Sequence, residues 1–144
     1  MAIVGFGFTK ILIERKKPGA GKINIKNNIA IKGIEDHDLG AKSDKDQKGL
    51  KFTFEFVAEY EPEVGSITLN GEVFYIGEKA EVEDILSQWK KGKKIPKEIM
   101  PIILNYALNR SNVEAVALSR DVSLPPPMPM PRVNFGQNDK NYIG

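Results

Sequence analysis

The sequence predicts an α+β domain, a four-stranded antiparallel sheet followed by two helices, acting as a homo-oligomer. Three observations carry this. Residues 50–60 alternate, with Phe52, Phe54, Phe56, Ala58 and Tyr60 on one parity and Lys51, Thr53, Glu55, Val57 and Glu59 on the other. One face of that strand is therefore buried and the other wet. Residues 79–91 switch to helical spacing, with Val82, Ile85, Leu86 and Trp89 as an apolar stripe for the sheet. Residues 96–118 form a second helix that is apolar around too much of its circumference for one sheet to cover. In a chain of 144 residues, the surplus is expected to lie against a second copy, with Ile99, Ile103, Tyr106, Leu108, Val113 and Val116 as interface candidates.

Taken in order, residues 8–15 (FTKILIER) read as the first strand, and Pro18-Gly19-Ala20-Gly21 as a turn. A second strand covers residues 22–32, with Ile23, Ile25, Ile29 and Ile31 on one parity. Asn27 interrupts that face, which suggests a bulge or an exposed edge. Residues 35–49 are polar and aperiodic, so a mobile loop is expected. After the third strand, residues 61–65 (EPEVG) turn the chain. The fourth strand spans 66–76, with Ile67, Leu69, Val73 and Tyr75 inward and Gly71 marking a bend or a close backbone approach.

Gly92 is expected just past the end of the first helix, and Pro96 at the first position of the second. Pro101 either bends the second helix or begins it. Ser111-Asn112-Val113-Glu114 matches a capping box and offers a second interruption. A continuous helix over 96–118 is the expectation. Residues 124–131 (LPPPMPMP) are neither helix nor central strand but an extended, polyproline-like strap. Its Pro125, Pro126, Met128 and Met130 are expected to pack along the chain's own sheet or a sister subunit. Residues 1–135 thus make one domain, and 136–144 a polar tail.

The chain has no cysteine, which excludes disulfides and thiolate metal sites and fits a reducing cytoplasm. Residues 1–8 are apolar but meet Lys10 at once, too short for a signal peptide or a membrane span. The abundance of Lys and Glu resembles thermophilic composition. A net charge of +2 with a pI near 8.7 permits a nucleic-acid partner without requiring one.

No catalytic constellation stands out. Asp36-His37-Asp38 holds the only histidine, and neighbours in a loop do not converge on one point as general acid–base pairs or metal ligands must. Asp44, Asp46, Gly49 and Glu55 fall at calcium-loop positions, but Lys48 puts a cation at the fifth. Gly5-Phe6-Gly7 lacks the third glycine and the following helix of a dinucleotide site. No enzyme activity, cofactor or metal is therefore expected. The strongest charge feature is Lys90-Lys91-Gly92-Lys93-Lys94 with Lys97. Lysines closing a helix opened by Glu81, Glu83 and Asp84 suit the macrodipole. Their number exceeds that need, so they are candidates for RNA phosphates, with Arg15, Lys16 and Lys17 as a possible extension.

Four strands, a helix, a longer helix and a proline-rich exit, with IMPIILNYALNRSNVEAVALS leading into LPPPMPMPRVNF, resemble the SecB export-chaperone family. Both have an early proline within the apolar long helix, and both end the extended stretch near Pro-x-Val-Asn-Phe, here Pro131 to Phe135. The LPPPxPxPxV ending and the KFTFEF…YEPEVGSI…GEV block also look similar to a little-characterised archaeal SecB-like family. The resemblance implies a homotetramer or homodimer with helices between antiparallel sheets, clients held in apolar grooves, and no nucleotide. Bacterial SecB is acidic, whereas this chain is basic and its tail lacks the partner-docking features. The first functional expectation is therefore a non-enzymatic factor on the protein-synthesis machinery, of the ribosome silencing, hibernation or subunit-dimerisation type. The alternative is an ATP-independent holdase for unfolded or exported polypeptides.

Overall fold

The structure, a computed structural model, describes residues 2–18, 21–40 and 46–129. Four strands, β1 (Ala2–Arg15), β2 (Asn24–His37), β3 (Gln47–Glu61) and β4 (Gly65–Glu78), precede α1 (Lys79–Gly92) and α2 (Met100–Asp121). The strands form one antiparallel sheet in the order β1-β4-β3-β2. The long alternating strands β3 and β4 occupy its centre, and β1 and β2 are its edges.

The inward parity of β3 and β4 is sealed: Leu50, Phe52, Phe56, Ala58, Ile67, Leu69 and Val73 have no exposed surface. Both helices lie on this face. Val82, Ile85 and Trp89 of α1, with Ile95, Ile99, Ile103 and Ala107, cover the half of the sheet around Phe52 and Tyr75. The far end of α2, through Ala115, and then Leu124 cover the half around Phe56 and Tyr60. Small residues on the buried stripe of α2, Ala107, Ser111, Ala115 and Ser119, let its axis approach the strands.

Several boundaries differ from expectation, each for a tertiary reason. β1 begins at Ala2 rather than at residue 8, with Phe6 opposite Val73 and Ile3 opposite Tyr75. Register shifts between Ile3 and Gly5 and between Phe8 and Lys10 break its alternation, which hides the strand from a period-two reading. The expected loop over 35–49 shrinks from both ends. β2 continues to His37, opposite Gly49, and β3 starts at Gln47, opposite Glu78. The polar residues there suit the wet face of a paired sheet: Lys51 bridges Glu35 at 3.3 Å and Glu72 at 3.8 Å.

Gly92 closes α1 within the helix, and the left-handed position falls on Lys93, with φ of 56°. α2 does not start at Pro96. The Met100 N–H donates to the Pro96 carbonyl at 3.0 Å in a preceding turn, and Pro101 sits in the first helical turn, where a missing N–H is harmless. Pro101 therefore begins the helix and does not bend it. Ser111 does not interrupt it either; it is fully buried, and its hydroxyl has no hydrogen-bond partner among the described residues.

α2 ends in a Schellman turn. Ser123 is left-handed (φ 57°), its N–H donates to the Arg120 carbonyl at 3.2 Å, and the Leu124 N–H donates to the Ser119 carbonyl at 2.8 Å. That geometry fixes the direction in which the strap leaves.

Candidate functional site

From Leu124 the strap passes Tyr60 of β3 and then reaches Asn27 of β2. The Tyr60 hydroxyl donates to the Pro125 carbonyl at 2.6 Å, and the Asn27 amide donates to the Pro127 carbonyl at 2.7 Å. Prolines offer no N–H, so an extended proline run must be held through its carbonyls, and these two side chains do that. Burial pushes the Tyr60 hydroxyl up to about 12, so it stays a neutral donor across the physiological range. Asn27 makes no bulge; it is exposed on edge strand β2, the other of the two expectations. It shares the inward parity of Ile25 and Ile29 and anchors the strap. The missed partners, Tyr60 and Asn27, had one legible signal: a polar residue interrupting an isoleucine face.

Leu124 and Pro127 are buried, Met128 is half-buried, and Pro125 and Pro126 are exposed. Met130, Pro131 and the Arg132-Val133-Asn134-Phe135 stretch lie outside the described residues, as does the tail. Where the strap meets β2, a groove of about 420 Å³ opens between Asn27, Asn28 and Ile29 of β2, Leu108 and Asn112 of α2, and Met128. Ile29, Leu108 and Met128 give it an apolar side, and Asn27, whose amide is already bonded to Pro127, and Asn112 bring carboxamides to it. A second apolar hollow of about 310 Å³ lies on the other flank of α2, lined by Val113, Val116, Ala117 and Leu124 among others.

The six interface candidates separate into three kinds. Ile99 and Ile103 are 7% and 0% exposed, already covered by this chain's own sheet, and cannot face a second copy. Tyr106, Leu108 and Val116 are half-buried, with Tyr106 edge-on to Phe6 at 5.7 Å. Val113 is 73% exposed, and Ile102, not among the candidates, is 52% exposed.

Nor does the structure join the two basic clusters. Arg15 pairs with Gly65, and the Lys16 N–H donates to the Val64 carbonyl, at the β3–β4 turn. Lys90, Lys91, Lys93, Lys94 and Lys97 are exposed at and beyond the end of α1, past Trp89, which packs with the other half of the core. Lys93 rests over the Trp89 ring, 4.9 Å from its centroid.

His37 lies against Phe74 on the wet face of the sheet, its ring tilted at 45° with centroids 4.7 Å apart. Lys48 lies 3.8 Å from Asp36 and 3.8 Å from Glu83. Among the described residues no group of three or more acidic or histidine side chains converges to hold a metal ion; Asp44 lies outside them. No described helix is long and apolar enough to cross a membrane.

No family model matches the chain, and no curated protein does. Among solved structures, the fold is similar to that of the Mycobacterium tuberculosis SecB-like chaperone Rv1957, solved in complex with a ChAD peptide from the Rv1956 HigA1 antitoxin. The two share 9% identity at a TM-score of 0.52, over 92% of this chain and 89% of the other. The four-stranded antiparallel sheet followed by two helices is thus a SecB-like fold.

Proposed function

We propose that this chain is a non-enzymatic, SecB-like binding protein of the cytoplasm that holds extended polypeptide segments without nucleotide. The observation that carries this is the strap itself. Neighbouring strands β2 and β3 already take an extended chain by its main-chain carbonyls, through Asn27 and Tyr60. The groove beside Met128 continues that surface with the apolar Ile29, Leu108 and Met128 and the carboxamide of Asn112. Recognition through backbone and apolar contact is tolerant of sequence, which holding unfolded clients requires. The similar mycobacterial chaperone was solved with a peptide. At several-fold molar excess without ATP, the protein is expected to suppress aggregation of a heated client. Unchanged light scattering would count against the reading.

The holdase works as a homodimer or homotetramer in this reading. Ile102, Tyr106, Asn109, Val113, Val116 and Arg120 recur every three or four residues along the outward side of α2, the spacing of a helix–helix seam. Edge strand β1 also leaves Val4, Ile11 and Leu12 about half exposed, and an uncovered apolar edge is normally paired or shielded.

A second reading, a ribosome-associated factor of the silencing, hibernation or subunit-dimerisation type, is favoured by one observation. The lysine group around Gly92 is exposed, and none of its members is in an ion pair among the described residues. Symmetry would repeat it on each subunit. Co-sedimentation with ribosomes at low salt tests this, and migration only at the top of the gradient would exclude it.

A further inference from the structure

We propose that Lys90, Lys91, Lys94 and Lys97 form a site for the phosphate backbone of RNA, and that Lys93 stands outside it; the partner class rests on the ribosome-associated reading. Four lysines elsewhere on the sheet, Lys26, Lys32, Lys48 and Lys51, reach carboxylates. The lysines at the end of α1 have no such partner among the described residues, although Glu83 and Asp84 lie on the same helix. A helix end needs about one turn of positive charge against its dipole. Lys94 and Lys97 lie beyond Gly92, where the helix has ended.

The chemistry of the corner points to a phosphate backbone held by charge, with no seat for a base. Trp89 is 9% exposed and its ring is capped by Lys93, so no aromatic platform is left for stacking a base. The adjoining hollow of about 470 Å³ is lined by Glu83, Leu86, Ser87, Lys90 and Lys91. Glu83, 3.8 Å from Lys48, repels any anion from that hollow, which leaves the lysine side of the corner for phosphate. Lysines are hydrated point charges that make no bidentate pairs, and they suit a backbone held by charge alone. Lys93 is exposed like the others, but its left-handed backbone turns the chain and its ammonium rests over the indole.

The test is fluorescence anisotropy of labelled oligouridylate with the full chain, between about 50 and 200 mM salt. Four neutralised phosphates give a slope of log K against log salt near about −3 per site. K90Q/K91Q/K94Q, checked for folding by circular dichroism, is expected to weaken binding at least tenfold and flatten the slope by about 2. Lys93→Gln is expected to leave the slope unchanged. The assignment is overturned if the triple variant keeps the parent slope, or if Lys93→Gln flattens it as a single member of the site would. Displacement of RNA by polyglutamate at lower charge concentration than by polyphosphate overturns it too, in favour of an acidic polypeptide. Ribosome co-sedimentation without binding to free RNA defeats the site and leaves the ribosome reading standing. RNA binding with the expected slope but no co-sedimentation does the reverse.

Discussion

The Asn27 amide reaches the Pro127 carbonyl at 2.7 Å across a hundred residues of sequence. It closes the one gap in an isoleucine face with the one kind of bond a proline run can accept. Tyr60 repeats the arrangement at Pro125, so the strap is tied at two points to two neighbouring strands, and it forms one rim of the proposed client groove.

Breaking that tie is expected to loosen the strap without unfolding the sheet. Asn27→Ala should lower stability by about 1 kcal/mol, the net value of such a bond, and Tyr60→Phe by a similar amount. Urea unfolding of the two single variants and the double variant measures the coupling between them. If the strap is held as a unit, the two losses are not additive. Client holding by Asn27→Ala should change more than its stability does.

The oligomer seam should respond to outward positions only. Val113→Asp or Ile102→Asp is expected to reduce the native mass in light scattering while circular dichroism stays folded. Ile103→Asp, which places a charge at a fully buried position of the protomer, is expected to cost several kcal/mol, on the order of 3–5 by analogy with uncompensated buried charges, and to unfold the chain. Native mass retained by both outward variants would remove α2 as the interface.

Stability should fall at high pH with a defined sign. Burial holds the Tyr60 hydroxyl at about 12. Burial first, then the hydrogen bond to Glu81 and its charge, hold Tyr75 at about 12 as well. An unfolded tyrosine ionises near 10, so between about pH 10 and 12 the unfolded state loses protons that the folded state keeps. The stabilisation is complete below pH 10 and is lost as pH rises through that window. Denaturant midpoints should drop across it, and the double variant Tyr60→Phe, Tyr75→Phe should flatten the drop.

Gly71→Ala tests the centre of the sheet. A Cβ there would lie 2.6 Å from the Phe54 ring and 2.7 Å from the Gly7 carbonyl oxygen, neither of which has room to retreat. A loss of about 1–3 kcal/mol is expected, the range for overpacked cores, read as a lower melting temperature. A neutral result would mean that Phe54 has another place to go.

Much of this architecture was legible in the residues. The alternation of Phe52 to Tyr60, the stripe from Val82 to Trp89 and the turn at Pro62 each rest on spacing and on local backbone preference, which are properties of neighbours in sequence. Gly71 was legible as a bend or a close approach, but what approaches it, Phe54 and Gly7, was not, because both are distant in sequence. The candidate site was legible only in outline. The strap's prolines dictated an extended chain, yet nothing nearby named Tyr60 or Asn27 as its partners, because those contacts span 65 and 100 residues. The lysines announced a basic corner, but Lys93 separated from its neighbours only once its ammonium was seen over Trp89.

The chain's own order of residues therefore determined the elements, the inward face of each strand and the surplus of apolar surface on α2. Tertiary structure decided where strands begin and end, since β1 and the strand ends around His37 and Gln47 are held by ladder pairing and not by their own pattern. It also decided which part of the α2 surplus is free. Ile103 and Val113 are equally apolar in sequence, but the sheet packs against one side of the helix, burying Ile103 and leaving Val113 in solvent.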